Sequence, residues 1–101
     1  MNGTMFLKVH HTRTAGDIVA VCDRELLNTT LEWKGLRMEI TEAFYGNQLA
    51  TGDEVRQAMR EAACINLMGK RALSCARELE LVDEQGCIMI GDVPHAQIYS
   101  L

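Results

Sequence analysis

The segment TGDEVRQAMREAA, residues 51–63, constrains the fold most strongly, because it predicts both the start and the buried face of a helix. Thr51 and Glu54 have the spacing of a capping box, in which each side chain accepts a hydrogen bond from the other residue's backbone N–H. Asp53 adds negative charge at the helix N-terminus, where the helix dipole favours it. One apolar face follows, formed by Val55, Ala58, Met59 and Ala62. We therefore predict a helix over residues 52–63.

The same periodicity continues past this helix, so that residues 52–80 form either one long helix or two. The further apolar-face positions are Ile65, Gly69, Ala72, Leu73, Ala76 and Leu79. In a single helix Leu67 would lie in the middle of the polar face, and Gly69 would cost about 1 kcal/mol relative to alanine. We favour a break at 64–68, with Asn66 as the N-cap of a second helix.

Runs of β-forming residues flank this helical middle. Residues 5–12 and 17–22 are separated by RTAG, in which Gly16 suits a tight turn, and the pattern predicts an antiparallel hairpin. In LRMEI, residues 36–40, apolar and polar residues alternate as in a strand exposed on one face. The C-terminal stretches CIMI and HAQIYSL indicate a second hairpin around GDVP.

The predicted fold is α+β, with one mostly antiparallel sheet covered by a helical pair. The sheet would contain the N-terminal hairpin, a middle strand and the C-terminal hairpin. With 101 residues, the chain suits a single domain over residues 1–101, which should bury roughly two-thirds of its unfolded surface.

Charge and cysteine usage narrow the function classes. Ten Lys and Arg against fourteen Asp and Glu give a net charge of -4, the wrong sign for a protein that follows phosphates over its whole surface. The longest apolar runs fall far short of the ~20 residues that cross a bilayer, so no membrane contact is expected. Four cysteines without a C-x-x-C pair behave as small hydrophobes in a reducing compartment. We expect a cytoplasmic protein that holds no metal and no cofactor.

Four segments of the chain, VAVCDRELL, LRMEITEAFYGNQL, EAACINLMGKRAL and IGDVPHAQI, resemble an uncharacterised archaeal family, domain-of-unknown-function family 424. The resemblance covers nearly the whole chain. It implies a single-domain α+β protein of the archaeal cytoplasm and assigns no activity. A role near RNA or translation suits such a protein by association only.

Positive charge at the start of the predicted second helix indicates an anion-binding site. Gly69, Lys70 and Arg71 stand where free backbone N–H groups and the helix dipole attract phosphate, although no Walker pattern is present. Arg56 and Arg60, one turn apart on the first helix, would extend this patch towards an RNA backbone if the helices pack antiparallel. The alternative is that these cations are simply solvated.

The C-terminal strand predicts a polar stripe of His95, Gln97 and Tyr99, with about 6.8 Å between alternate residues. Such a row can hydrogen-bond a base or the edge of another strand. His95 is also the best candidate base for catalysis, with Asn66 and Tyr45 as polar neighbours around an anionic small molecule. No nucleophile setting such as G-x-S-x-G accompanies it, and the alternative is an ordinary surface histidine.

Two functions of different class remain. The first is a non-enzymatic binding module that engages RNA or a ribonucleoprotein through the cations and the polar stripe. The second is a small enzyme or anionic-ligand-binding protein centred on His95. We favour the first because the chain shows no nucleophile, no paired acid and base and no cofactor fingerprint. A homodimer formed through an edge strand is a further option.

Overall fold

The computed structural model describes residues 3–99, which form eight strands and three helices. The strands are β1 (Met5–His11), β2 (Asp17–Asp23), β3 (Thr30–Trp33), β4 (Leu36–Glu39), β5 (Leu49–Ala50), β6 (Cys64–Met68), β7 (Ile88–Ile90) and β8 (Val93–Tyr99). The helices are α1 (Glu42–Tyr45), α2 (Gly52–Glu61) and α3 (Lys70–Glu78), and short 3-10 turns occupy Arg24–Leu26 and Glu84–Gly86. No helix within this described part is long and apolar enough to cross a membrane.

Six strands form the main sheet in the order β5-β1-β2-β6-β8-β7. Every neighbouring pair of strands is antiparallel except β2 and β6. These two strands run parallel, and residues 24–63 connect them. The predicted α+β class and the mostly antiparallel sheet are confirmed. Strands β3 and β4 form a separate two-stranded sheet, which the sequence did not predict.

The two faces of the main sheet are covered by different elements. Helices α2 and α3 pack on one face, where Val21, Leu67 and Leu73 are fully buried. The β3–β4 hairpin and α1 pack on the other face around Ile40 and Met68. The predicted helical pair is thus confirmed as the cover of one face.

The middle strand was placed wrongly from the sequence. Residues 36–40 were assigned to the main sheet, but Leu36–Glu39 pairs only with β3. The central strand is β6, where we predicted only a break between helices. A strand buried on both faces is almost continuously apolar, so CINLM fits a helical period as well as a strand. Residues 52–80 therefore form two helices with a strand between them.

The predicted cap of the second helix is also corrected. Asn66 lies in the middle of β6, and α3 begins after Gly69, whose φ of 111° is a conformation that favours glycine. By contrast, the capping box of Thr51 and Glu54 at the start of α2 is confirmed, with both of its hydrogen bonds formed. Both predicted hairpins are confirmed as β1–β2 and β7–β8.

Candidate functional site

The N-terminus of α3 is occupied by a carboxylate of the chain itself. Asp23, at the end of β2, is only 4 % exposed, and its two oxygens accept hydrogen bonds from the backbone N–H groups of Arg71 at 3.1 Å and Ala72 at 2.9 Å. A side chain at Gly69 would collide with this carboxylate. These N–H groups are the ones that a phosphate would need, so this geometry counts against the anion site predicted at Gly69.

Two of the four predicted cations form ion pairs with acidic residues. Arg71 forms an ion pair with Glu25. The pKa of Glu25 lies below its usual value because its own backbone N–H and Arg71 donate hydrogen bonds to the carboxylate. Arg56 bridges Asp53 on α2 and Glu78 on α3, with N–O distances of 2.5 and 2.8 Å. The positive charges of Arg56 and Arg71 are therefore already balanced by carboxylates of the chain.

The remaining two cations carry no ion pair within residues 3–99. Arg60 donates only a 3.4 Å hydrogen bond to Gln57, and Lys70 is exposed. Lys70 and Arg60 lie on different helices, with the paired charges of Arg56 and Arg71 beside them. The use of all four cations in binding stays a prediction, but the structure gives them no continuous basic surface.

The predicted polar stripe on β8 is only partly accessible, which corrects its first member. Gln97 and Tyr99 are exposed, whereas His95 is 7 % exposed and its Nδ1 donates to the Leu67 carbonyl at 2.8 Å. Strand β7 pairs with β8 only from Val93 to His95, so His95 has a neighbouring strand on both sides, whereas Gln97 and Tyr99 have none on the β7 side. No side chain in the described part of the chain hydrogen-bonds His95, as a catalytic base would require.

Next to His95 along strands β6 and β8, the sheet has a surface that we call the open face, formed by Cys64, Asn66, Gln97 and Tyr99. Cys64 pairs with Tyr99 and Asn66 pairs with Gln97 across β6 and β8, and all four side chains point to the same side. Tyr99 is 67 % exposed, and its hydroxyl donates to the Gln97 amide oxygen at 3.2 Å. The open face thus combines one large exposed ring with two amides.

A buried tyrosine holds one of these amides in place. The Tyr45 hydroxyl donates a 2.6 Å hydrogen bond to the Asn66 side-chain oxygen, and burial raises the pKa of Tyr45 well above its usual value. No described residue accepts a hydrogen bond from the Asn66 amide nitrogen, yet no buried side-chain nitrogen in residues 3–99 lacks a partner. Asn66 as a whole is only 8 % exposed, so at most the edge of its amide can be reached from the open face. Asn66 and Tyr45 are thus neighbours, but Tyr45 is buried, and their role around an anionic ligand with His95 stays a prediction.

Two aromatic rings border the open face on the side of α1. Phe44 stacks on His10 with ring centroids 5.1 Å apart, and it meets Tyr45 edge-on at 4.9 Å. His10 Nε2 also donates to the Phe44 carbonyl at 2.7 Å. His10 lies in the same row as Tyr99 through the strand register, about 14 Å away at three strand spacings. Sequence reasoning missed His10, although its alternation on β1 with Phe6 was a usable signal.

The thiols do not form a reactive or metal-binding group. All four cysteines are free, and burial with the nearby Asp23 charge raises the pKa of Cys22 to about 12. Burial also raises the pKa of Cys75. Within residues 3–99, no three His, Cys, Asp or Glu side chains converge as metal ligands. A thiol with a raised pKa is a poor nucleophile, so Cys22 and Cys75 are structural residues.

The fold and the open face define a small α+β protein with an exposed, aromatic and amide-bearing sheet surface. The chain belongs to the family described as protein of unknown function (DUF424), which matches residues 10–101. It is also similar to an uncharacterised conserved protein from Methanopyrus kandleri of known crystal structure, with 31 % identity and a TM-score of 0.80. That similarity covers 96 % of this chain and 91 % of the other. No curated protein is significantly similar to the chain.

Proposed function

We propose that the protein is a non-enzymatic binding module that holds an unpaired segment of RNA on its open face. The observation that carries the proposal is Tyr99, a tyrosine 67 % exposed on a sheet beside the exposed amide of Gln97. A large ring left in solvent on a flat sheet offers a stacking platform for a base. We place this module in the archaeal cytoplasm, because its structural relative comes from Methanopyrus kandleri and its cysteines are free thiols.

Stacking at both ends of the open face supports a single-stranded ligand. Tyr99 stands at one end and the His10–Phe44 stack at the other. Bases in a duplex are already stacked on one another, whereas unpaired bases can turn onto side-chain rings. A span of about 14 Å between the two ring positions suits a few successive nucleotides.

The amides between the rings provide hydrogen bonds to base edges. The Asn66 amide nitrogen is a donor whose position is held by Tyr45, and Gln97 offers further polar atoms next to Tyr99. Asparagine and glutamine present a donor and an acceptor together, as base edges do. Such fixed amides would give preference among bases, beyond the sequence-tolerant stacking.

The arrangement of charge favours stacking over phosphate tracking. Arg71 and Arg56 are already paired with carboxylates, and Asp23 fills the N-terminus of α3. Few phosphates would be neutralised on binding, so affinity should fall only gently with salt. The enzyme alternative centred on His95 has less support, because that ring is buried and bonds only a backbone carbonyl within residues 3–99.

Fluorescence anisotropy with a labelled single-stranded RNA of mixed sequence tests this proposal. Tyr99→Ala should weaken binding by about tenfold or more, because loss of one base-stacking ring costs about 1–3 kcal/mol. Tyr99→Phe keeps the ring and loses only the hydroxyl bond to Gln97, so it serves as the matched control and should bind nearly as the wild type does. A duplex of the same sequence should bind more weakly.

Two results would contradict the proposal. One is an RNA affinity that Tyr99→Ala leaves unchanged, because the proposal assigns base stacking to this ring. The other is a steep salt dependence with equal binding of duplex and single strand, which would indicate phosphate contacts by Lys70, Arg71, Arg56 and Arg60 instead.

A further inference from the structure

One edge of the main sheet is an apolar strand whose outer side has no partner in the described part of the chain. β7 is the outermost strand, and no strand within residues 3–99 pairs with its outer side. Natural sheet edges usually carry charged residues, proline or a covering segment that prevents pairing with another chain. β7 reads IMI and carries no charge, and Ile88 and Met89 are 56 % and 47 % exposed.

The backbone of Met89 points its hydrogen-bonding groups outward. Met89 lies opposite Pro94 in β8, and the Pro94 carbonyl is already used by Gly69 on the β6 side. In an antiparallel pair, hydrogen-bonded and non-hydrogen-bonded positions alternate, so Met89 and Pro94 form a non-hydrogen-bonded position. The N–H and C=O of Met89 therefore face away from β8, towards a strand that would add at this edge.

The β3–β4 hairpin, whose strand β3 contacts β7, carries an apolar face. Leu31 pairs with Met38 and Trp33 pairs with Leu36, so all four side chains lie on one face of the hairpin. Leu31 and Met38 pack against the core beneath them, and β3 contacts β7. Trp33 and Leu36 continue the same face towards the tip, where both remain exposed.

We propose that β7 pairs with β7 of a second copy of this chain, in an antiparallel arrangement around a two-fold axis at Met89. Met89 and the partner's Met89 would exchange two hydrogen bonds, and Ile88 would lie opposite Ile90 of the partner subunit. A second copy of the chain fits this edge because β7 is uncharged, so a two-fold axis at Met89 places no like charges opposite each other. The pairing also closes the edge, since each copy satisfies the other and leaves no free strand there.

The strand is short, which sets the expected strength of the dimer. Three residues a side with the Trp33 and Leu36 tip give an interface at the small end of specific interfaces, below about 800 Å² per partner. The fraction of dimer should therefore depend on the protein concentration. The proposal does not rest on RNA binding, because the residues of β7 lie outside the open face.

Sedimentation velocity of the full chain between about 10 µM and 1 mM tests this pairing. We expect the dimer fraction to rise over that range, and Met89→Lys to weaken dimerisation at least tenfold, since two ammonium groups would meet at the axis. Leu49→Lys is the matched control: Leu49 is 45 % exposed on β5, the opposite edge of the sheet, and its substitution should leave the dimer unchanged within twofold.

Ile88→Lys provides a second variant at the same edge, and circular dichroism confirms that each variant is folded. Both positions are exposed, so the fold should tolerate the charge. A wild-type chain that stays monomeric at 1 mM overturns the proposal, as does a dimer that both β7 variants leave intact. Tyr99→Ala, which tests RNA binding, should dimerise as the wild type does, and this separates the two proposals.

Discussion

Removal of the Asp23 carboxylate should destabilise the fold more than any surface substitution. Asp23 is almost fully buried, and its oxygens satisfy two backbone N–H groups at the start of α3. Hydrogen bonds to a charged acceptor contribute about 1.5–3 kcal/mol each, and Asp23→Ala would leave both donors without a partner. We therefore expect a loss of about 3–5 kcal/mol, a large part of the 5–15 kcal/mol that is usual for a domain.

Urea denaturation followed by circular dichroism measures this loss as a lower transition midpoint at unchanged slope. Asp23→Asn keeps one good acceptor and should lose about half as much. Asp53→Ala is the matched control, because Asp53 also lies at a helix N-terminus but is exposed, and an exposed ion pair such as that with Arg56 contributes little to stability. An Asp23→Ala loss no larger than that of Asp53→Ala would refute the capping role.

The other predictions concern buried groups on the opposite side of β2 and β6. Tyr45→Phe should cost about 1–3 kcal/mol in urea unfolding, because the buried Asn66 oxygen loses its donor, and an unchanged midpoint would contradict the bond. Cys22 should resist iodoacetamide at pH 8 until the chain unfolds, since its pKa is about 12. The raised pKa keeps Cys22 protonated in the folded state, while the unfolded thiol ionises near its ordinary value of 9.0. Stability should therefore fall as the pH rises from 9 towards 12, and Cys22→Ala should reduce that fall.

The sequence predicted the elements that local patterns determine. The start of α2 depends on Thr51 and Glu54, three residues apart, and the capping box formed as predicted. Gly16 and Gly91, both at positive φ, mark the turns of the two main hairpins. Such signals are contained in a few neighbouring residues, so they survive whatever the rest of the chain does.

The elements that depend on distant neighbours were not predictable in the same way. β6 is a strand because β2 and β8 flank it on both sides, whereas its own apolar run also fits the inside of a helix. Asp23 also depends on a distant neighbour, because its side chain caps α3 through the backbone N–H of Arg71, 48 residues further on. A local pattern cannot identify which helix such a side chain caps, because the two lie far apart in the sequence.

The candidate site follows the same division. Gln97 and Tyr99 were predicted to be accessible from alternation along β8, and alternation depends on the strand alone. His95 obeys the same alternation but is buried, because accessibility also depends on how far β7 and the β3–β4 hairpin extend across the sheet. Periodicity thus predicts the face on which a side chain lies, and the lengths of neighbouring elements decide whether that side chain is covered.

The distribution of polar side chains separates stability from binding. In the described part of the chain, the buried polar residues are Asp23, Asn66 and His95. Each of the three hydrogen-bonds a fixed partner within the fold, so its replacement acts first on stability. The Tyr99 side chain, by contrast, hydrogen-bonds only Gln97 within residues 3–99 and is 67 % exposed, so its removal should cost little folding free energy. A loss of RNA affinity in Tyr99→Ala at an unchanged unfolding midpoint therefore cannot arise from a damaged fold.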